Sequence, residues 1–319
     1  ESIKTAVRML DNVIDLNFYP TEEAFNSNMR HRPVGLGMMG IHDVLHRLNI
    51  HIDSKESVLF NDKLFECYSR AAISASSNLA KERGAYNSFT GSLWDQNILP
   101  LDSWNLLMDY RGNKKSHKTH FNWDDTRESI KKYGMRNSNV MAIAPTATIG
   151  YINGIEQSIE PNFSTLFVYE CKSGNFYITN EHFVRDAKNA GVWSSELATL
   201  IKSVDGDLSL LNGDIPLSLK EKYKTAFDRD MFKLIEVNAV RQKWIDQSIS
   251  FNLYNKSTSL KHLNDLYMAC WEAGLKTTYY LRNRAATKVE KSTTEEVKEE
   301  LSACSIEAMQ RGETCESCQ

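Results

Sequence analysis

The stretch from residue 139 to residue 150, NVMAIAPTATIG, joins a short apolar run to a loop of small residues. The apolar run stops at Pro145, which predicts a buried strand over residues 139–144. The loop that follows consists of Pro145, Thr146, Ala147, Thr148, Ile149 and Gly150. Small side chains let a ligand approach the backbone, and exposed N–H groups at a strand-to-helix turn suit a phosphate. A phosphate-binding loop and an ordinary polar turn both fit this pattern.

Apolar periodicity outside this stretch predicts further helices and strands in alternation. The predicted helices cover residues 3–19, 38–45, 53–84, 123–133, 180–190, 216–247 (with a break near Asp228) and 259–273. The predicted strands cover residues 163–170, 248–254 and 275–281, and their apolar character indicates burial. Helices that alternate with buried strands favour an α/β architecture with parallel strands.

The composition, 319 residues with 41% hydrophobic and 25% charged residues, is typical of a globular chain with a sizeable core. The formal net charge of -3 gives no reason to expect binding to nucleic acid or to an anionic membrane. The longest stretch without charge, residues 137–155, contains Pro145 and several polar residues. We therefore interpret it as strand and loop, and not as a membrane span.

The six cysteines are few and scattered for a chain of this length, which argues against a disulfide framework. A reducing compartment is therefore expected. The first residues show an ordinary amphipathic pattern and no signal peptide, so the sequence predicts a cytoplasmic location. The first residue is Glu1 and not Met, which predicts a fragment or a processed product.

Residues 35–40, GLGMMG, match the G-x-G-x-x-G pattern of dinucleotide-binding folds. The surrounding sequence does not fit, because residues 28–33 are charged and end in proline where a strand is needed. Asp53 also comes too early for the acidic residue that holds the ribose. A nicotinamide-dependent dehydrogenase is therefore an unfavoured alternative. Close backbone packing at the start of a helix is the preferred interpretation of these glycines.

Two adjacent tyrosines, Tyr279 and Tyr280, lie within the predicted strand at residues 275–281. Adjacent residues of a regular strand point to opposite faces, so the pattern alone indicates two packing residues. A redox role would require the two phenols to approach each other, against this simple alternation.

The chain ends with residues 315–319, CESCQ, which place a C-x-x-C pair in a polar segment. Residues 288–319 contain few apolar side chains, so burial cannot offset their ordering entropy and we predict a flexible tail. A structural zinc site needs four ligands, and the tail offers only Cys304 besides the pair. We therefore expect no metal site, and we interpret Cys315 and Cys318 as an accessible dithiol that exchanges electrons with disulfides.

Seven stretches together resemble the C-terminal half of the large (α) subunit of class I ribonucleotide reductase. They are RPVGLG (32–37), MRNSNVMAIAPTATIG (135–150), QSIEP (157–161), SGNF (173–176), WIDQS (244–248), GLKTTYYLR (274–282) and CESCQ (315–319). Each stretch alone is weakly informative, but their combination is specific and spans nearly the whole chain. The resemblance implies that residues 1–287 form the C-terminal part of a ten-stranded α/β barrel and that residues 288–319 form a flexible redox tail.

The resemblance also implies roles for individual residues. Residues 145–150 would bind the phosphates of a ribonucleoside diphosphate substrate. Tyr279 and Tyr280 would relay a radical that arrives from the small (β) subunit, which would carry the metal and tyrosyl-radical cofactor. Cys315 and Cys318 would re-reduce the active-site disulfide and would then be restored by thioredoxin or glutaredoxin.

The family's radical cysteine, with its neighbouring asparagine and glutamate, is expected upstream of Glu1, as are the reducing cysteine pair and the ATP and deoxynucleotide effector sites. The cysteines of this sequence have no matching context. We therefore expect a fragment, or one half of a split ribonucleoside-diphosphate reductase α subunit. It would reduce ribonucleotides only together with the missing N-terminal half and the β subunit. A non-catalytic module that binds a phosphate ligand or a partner is an alternative.

Overall fold

The computed structural model describes residues 1–113, 117–171, 174–211, 213 and 215–283. The helices within these residues are α1 (Ser2–Leu16), α2 (Glu22–His31), α3 (Ile41–Leu48), α4 (Lys55–Arg83), α5 (Pro100–Tyr110), α6 (Asp124–Tyr133), α7 (Ala147–Ile152), α8 (Glu181–Asn189), α9 (Ser195–Ser203), α10 (Leu217–Lys222), α11 (Met231–Gln242) and α12 (Leu260–Glu272). The strands are β1 (Leu166–Cys171), β2 (Gly174–Thr179), β3 (Leu253–Asn255) and β4 (Leu281–Asn283). The predicted tail at residues 288–319 lies outside the described residues.

Local sequence signals set the helix boundaries, as the longest helix shows. Helix α4 begins after Ser54, whose hydroxyl oxygen accepts a hydrogen bond from the N–H of Ser57 (3.1 Å), and it ends at Gly84, which has a φ of 85°. These caps satisfy backbone groups that a helix leaves unpaired at its ends. The D-x-x-E pattern at residues 53–56 predicts a cap at Asp53, but the side chain of Asp53 pairs with Arg229 instead (3.1 Å). Across the described ranges, no helix is both long and apolar enough to cross a membrane.

Four extended segments lie side by side and parallel, and helices separate each segment from the next. Residues 34–36 pair with residues 139–143, which in turn pair with the first part of residues 247–255. The last part of residues 247–255 pairs with residues 279–283. The predicted parallel α/β arrangement is therefore confirmed, although the segments do not close into a barrel within the described part of the chain.

The observed strands of the parallel set are shorter than the predicted ones. Residues 139–144 and 248–252 make isolated bridges and not continuous ladders, and the strand predicted at residues 275–281 begins only at Leu281. In one place a side chain takes the part of a backbone acceptor, since the N–H of Tyr280 donates to the side-chain oxygen of Asn252 (3.2 Å).

The hairpin of β1 and β2 departs from the prediction. The sequence predicts a buried strand over residues 163–170, in a parallel arrangement. Strand β1 instead pairs antiparallel with β2, with Leu166 opposite Thr179, and Phe176 and Tyr177 of β2 are exposed. β-Branched and aromatic residues suit surface hairpins as well as buried strands, so composition alone does not distinguish the two.

Two clusters of buried apolar side chains stabilise the described unit. The larger one surrounds the parallel segments and includes Phe65 and Trp244, which are almost completely buried. The smaller one joins α8, α9 and α10 and includes Phe183 and Tyr223. His46 of α3 stacks on Tyr223 with ring centroids 4.7 Å apart, and this contact connects α3 to the smaller cluster.

Candidate functional site

Tyr279 and Tyr280 lie side by side immediately before β4. Their phenolic oxygens are 3.2 Å apart, and the hydroxyl of Tyr279 donates to the hydroxyl of Tyr280. The ring centroids are 4.1 Å apart, with 52° between the ring planes. Both side chains are about half exposed (47% and 51%). The hydrogen bond to Tyr280 raises the pKa of Tyr279, because it stabilises the protonated phenol.

An extra residue in the tyrosine segment places these neighbouring side chains on one side. The N–H of Tyr279 donates to the carbonyl of Phe251 (2.8 Å), and the carbonyl of Tyr280 accepts from the N–H of Leu253 (2.9 Å). In a regular parallel ladder a single residue would make both of these bonds. Two residues share them here, which is the pattern of a β-bulge.

Because of the bulge, the alternation of a regular strand, which predicts opposite faces for the two tyrosines, does not apply here. Tyr279 and Tyr280 precede the regular strand, which starts at Leu281. Because the alternation rule applies only to regular strands, it does not separate the two phenols here. The geometric condition for a redox role, contact between the two hydroxyls, is met.

A buried carboxyl group supports the bulge from the neighbouring segment. The side-chain oxygen of Asn252 accepts the N–H of Tyr280 (3.2 Å). The N–H of Asn252 donates to one oxygen of Glu160 (3.1 Å), and the hydroxyl of Tyr254 donates to the other (3.1 Å). Glu160 is only 5% exposed. Burial raises the pKa of Glu160 to about 7, although the hydrogen bonds from Asn252 and Tyr254 act in the opposite direction.

Arg282 lies close to both the tyrosine pair and this carboxyl group. Its guanidinium carbon is 5.2 Å from the centroid of the Tyr280 ring, a cation–π distance. Its charge also lowers the pKa of Glu160. A cavity of about 170 Å³ opens beside these groups, and its lining includes Tyr151, Gln157, Glu160, Asn252, Tyr254 and Arg282. Tyr151 belongs to α7, the helix that begins within the loop at residues 145–150, so the cavity lies beside that helix.

That loop is a turn from an extended segment into a helix, as the sequence predicts. Thr146 has a φ of 44° and is the N-cap of α7. The N–H of Gly150 donates to the carbonyl of Thr146 (2.9 Å), so the amides of Ala147, Thr148 and Ile149 have no acceptor within the helix. These three residues are exposed. Amides at the start of a helix attract anions, so this part of the loop is suited to a phosphate.

Thr146 and Gly150 of the loop have structural contacts. The hydroxyl oxygen of Thr146 accepts the N–H of Ser158 (2.8 Å), which ties the loop to the next turn. Gly150 is buried, and a Cβ on it would lie 3.1 Å from the carbonyl oxygen of Ile155 and 3.2 Å from the Cα of Gln157. Gly150 therefore permits close backbone packing.

The glycines at residues 35–40 pack the first two parallel segments together. A Cβ on Gly37 would lie 2.8 Å from the carbonyl oxygen of Ala142, and a Cβ on Gly35 would lie 3.2 Å from the Cβ of the same residue. Gly40 has a φ of 74° and precedes α3, which begins at Ile41 and not at residue 38 as predicted. The preferred interpretation, close backbone packing before a helix, is confirmed.

Cys67 and Cys270 have free thiols. Cys67 is exposed on α4, and Cys270 is buried in α12, where burial raises its pKa to about 11. Cys315 and Cys318 lie outside the described residues. Among the residues that the structure describes, no group of three or more His, Cys, Asp or Glu is arranged to hold a metal ion.

The network of Glu160, Asn252 and Tyr254 was not predicted, although the sequence contains a signal for it. Glu160 is the one charged residue between Glu156 and Glu170. A single carboxyl group in such a stretch must be hydrogen-bonded when it is buried, because an isolated buried charge is costly. The partners themselves lie about 90 residues further along the chain, at positions 252 and 254. Local patterns therefore could not identify them.

The fold and the site together define an α/β protein with parallel extended segments. It carries two contacting phenols, Tyr279 and Tyr280, and a loop at residues 145–150 whose amides begin a helix. A family model described as "Ribonucleotide reductase, barrel domain" matches residues 1–281. The chain belongs to this ribonucleotide reductase family.

Individual relatives agree with this assignment. The chain is 50% identical over 295 residues to the ribonucleoside-diphosphate reductase subunit alpha of Chlamydia pneumoniae, which covers 92% of this chain and 28% of that relative. It is 36% identical over 294 residues to the ribonucleoside-diphosphate reductase large subunit of Plasmodium falciparum. This match covers 92% of this chain and 35% of that relative. The solved class Id ribonucleotide reductase alpha subunit of Actinobacillus ureae is similar in structure, with a TM-score of 0.68 and 26% identity over 89% of this chain and 46% of that one. The chain thus spans about a third of the length of such curated relatives.

Proposed function

We propose that this chain forms the substrate-binding and radical-relay part of a ribonucleoside-diphosphate reductase α subunit. The observation that carries the proposal is the contact between the phenols of Tyr279 and Tyr280, 3.2 Å from oxygen to oxygen. Membership of the barrel-domain family supports it. Because the chain spans 28% of one such relative, the activity is proposed for an assembly with the remainder of α and with a β subunit.

The tyrosine pair transfers a radical by hydrogen-atom exchange. A phenoxyl radical on one tyrosine takes the hydrogen atom of the other hydroxyl, so one O–H bond forms as the other breaks. The hydrogen bond between the two phenols supplies a direct path for this atom. The half-exposed rings fit a radical that arrives from a separate β subunit, which supplies the metal and tyrosyl-radical cofactor.

The loop at residues 145–150 binds the diphosphate of a ribonucleoside diphosphate. Residues 147–149 are exposed and their amides have no acceptor within the helix, which supports hydrogen bonds from these amides to phosphate oxygens. The cavity beside Glu160 is lined by Tyr151 of α7 and by Asn252, which contacts the N–H of Tyr280. We therefore expect the reacting ribose to lie close to the radical relay.

The C-terminal cysteines supply the reducing equivalents. Each turnover replaces the 2′-hydroxyl of the ribose by hydrogen and releases water, while two thiols become a disulfide. Cys315 and Cys318 reduce that disulfide and become oxidised, and thioredoxin or glutaredoxin then restores them. The radical cysteine, the first thiol pair and the ATP and deoxynucleotide effector sites belong to the remainder of α. The free thiols of Cys67 and Cys270 fit a reducing, cytoplasmic location.

Complementation tests this proposal. The chain is combined with the remainder of an α subunit and a β subunit, and deoxynucleotide formation is measured. We expect Tyr279→Phe and Tyr280→Phe each to abolish turnover while substrate binding is retained, because phenylalanine has no hydroxyl hydrogen to exchange. Tyr177→Phe is the matched control, since Tyr177 is similarly exposed (57%) but lies on β2. Turnover in either pair variant would contradict the relay.

The same assay separates the shuttle from the relay. Cys315→Ser is expected to stop turnover with thioredoxin as reductant but to leave activity with a small dithiol that reaches the active-site disulfide directly. Equal loss with both reductants would count against the shuttle while leaving the relay intact.

A further inference from the structure

A chain of two hydrogen bonds connects Glu160 to Tyr280 through Asn252. Glu160 accepts the backbone N–H of Asn252 (3.1 Å), and the side-chain oxygen of Asn252 accepts the backbone N–H of Tyr280 (3.2 Å). The N–H of Tyr280 is the group that the extra residue displaces from the regular ladder. A backbone N–H without an acceptor disfavours its conformation, so Asn252 stabilises the bulged arrangement relative to the regular one.

Glu160 holds Asn252 in the orientation that this contact needs. The second oxygen of its carboxyl group accepts the hydroxyl of Tyr254 (3.1 Å), so both oxygens are fixed by donors from the same segment. Glu160, Asn252 and Tyr254 are all nearly buried, at 5%, 6% and 5% exposure. Because these groups are buried, leaving their polar atoms unpaired is costly, which favours this hydrogen-bonded arrangement.

We propose that Glu160 is a positioning residue for the radical relay, acting through Asn252 to hold Tyr279 and Tyr280 on the same side of the backbone; this inference rests on the proposed function. Without this support, the segment is expected to return to regular pairing, with a single residue opposite Asn252. Adjacent side chains would then point to opposite faces, and the two hydroxyls would separate. Glu160 exchanges neither a proton nor an electron with the phenols, and its role is geometric.

A titration of the full chain alone tests the geometry. Residue 279 is replaced by 3-fluorotyrosine, and its phenolate absorbance is followed with pH. The contact with Tyr280 raises the pKa of this phenol. We expect Glu160→Ala and Asn252→Ala to lower that pKa toward the value of free 3-fluorotyrosine. Glu160→Gln should preserve it, because the glutamine carbonyl still accepts the N–H of Asn252.

Glu66→Ala is the matched control for this titration. Glu66 is a fully buried carboxyl group on α4 that accepts the N–H of Phe121 (3.0 Å) and the indole N–H of Trp123 (2.9 Å). Its loss should lower the melting temperature but leave the pKa at position 279 unchanged. An unchanged pKa in Asn252→Ala, with a folded circular dichroism spectrum, overturns the proposal. If Glu160→Ala does not fold, Asn252→Ala decides the question.

The assembled enzyme provides a second readout. With the remainder of α and β added, Asn252→Ala should lower kcat by about 10- to 100-fold with KM unchanged, since small misplacements of reacting groups cost about this much. Glu160→Gln should recover most of the rate. An inactive wild-type assembly would refute the proposed function while the titration still decides the geometry. An active assembly with wild-type kcat in the folded Asn252→Ala variant would refute the positioning role alone.

Discussion

Replacing Asp11 with alanine is expected to destabilise the protein strongly, because its carboxylate joins three arginines inside the fold. One carboxylate oxygen accepts from Nε of Arg32 (2.9 Å) and from the side-chain amide of Asn137 (3.2 Å). The other accepts from Arg83 (3.0 Å) and Arg136 (3.3 Å). Asp11 is completely buried. These hydrogen bonds connect α1 and α4 to Arg136 and Asn137, which lead into the parallel segment at residues 139–143.

The contacts of the arginines determine the expected size of the effect. A hydrogen bond to a charged group contributes roughly 1.5–3 kcal/mol. Arg83 and Arg136 are 31% and 14% exposed, so their charges recover part of their hydration when Asp11 is removed. Arg32 is only 5% exposed but keeps its contact with Asp15 (2.7 Å). We therefore expect Asp11→Ala to lower the free energy of unfolding by about 3–5 kcal/mol, as for the loss of one partner of a buried ion pair.

Urea unfolding followed by tryptophan fluorescence measures this loss. Asp11→Asn should cost less, about 1–3 kcal/mol, because it keeps the shape and one acceptor oxygen. Glu82→Ala is the matched control, since Glu82 pairs with Arg8 at a similar distance (2.8 Å) on the surface. Water replaces that partner readily, so we expect no measurable change. If Asp11→Ala shifted the urea midpoint no more than Glu82→Ala does, the reasoning about the buried network would be refuted.

Two further predictions concern packing and pH. Gly37→Ala should lower the free energy of unfolding by about 1–3 kcal/mol, because its Cβ would lie 2.8 Å from a backbone oxygen. Gly35→Ala should cost less, since the neighbour at 3.2 Å is a side-chain methyl group; equal urea midpoints for the two variants would contradict this. Burial, together with the charges of His182 and Arg229, lowers the pKa of His46 to about 3. The unfolded chain takes up this proton from about pH 6.5 downward, so the stability present above pH 6.5 is lost as the pH falls toward 3, by at most about 1.4 kcal/mol per pH unit. His46→Leu should flatten this dependence in unfolding curves between pH 7 and 5, and an unchanged slope would count against it.

Much of the helical structure follows from the sequence alone. The prediction over residues 123–133 matches α6 almost residue for residue, and Gly134 ends it with a φ of 75°. The prediction over residues 259–273 matches α12, whose first turn is capped by Ser259. Apolar spacing and capping are local properties, because every bond of a helix joins residues a few positions apart.

The sequence also determined the family and the parallel direction of the segments at residues 139–143, 247–255 and 279–283, but it gave no sign of the extended segment at residues 34–36. Buried apolar runs separated by helices leave few arrangements other than parallel neighbours. The packing role of Gly37 was likewise anticipated from the poor context of its motif. The hairpin of β1 and β2 was not, because its β-branched and aromatic residues satisfy the same composition rules as a buried strand.

Only the tertiary structure decided whether Tyr279 and Tyr280 meet. If residues 275–281 formed a regular strand, the side chains of Tyr279 and Tyr280 would point to opposite faces. Their contact depends on the bulge opposite Asn252 and on Glu160, and these residues are 28 and 120 positions away from Tyr280. Register and bulges are set by bonds between distant segments, which no local pattern contains.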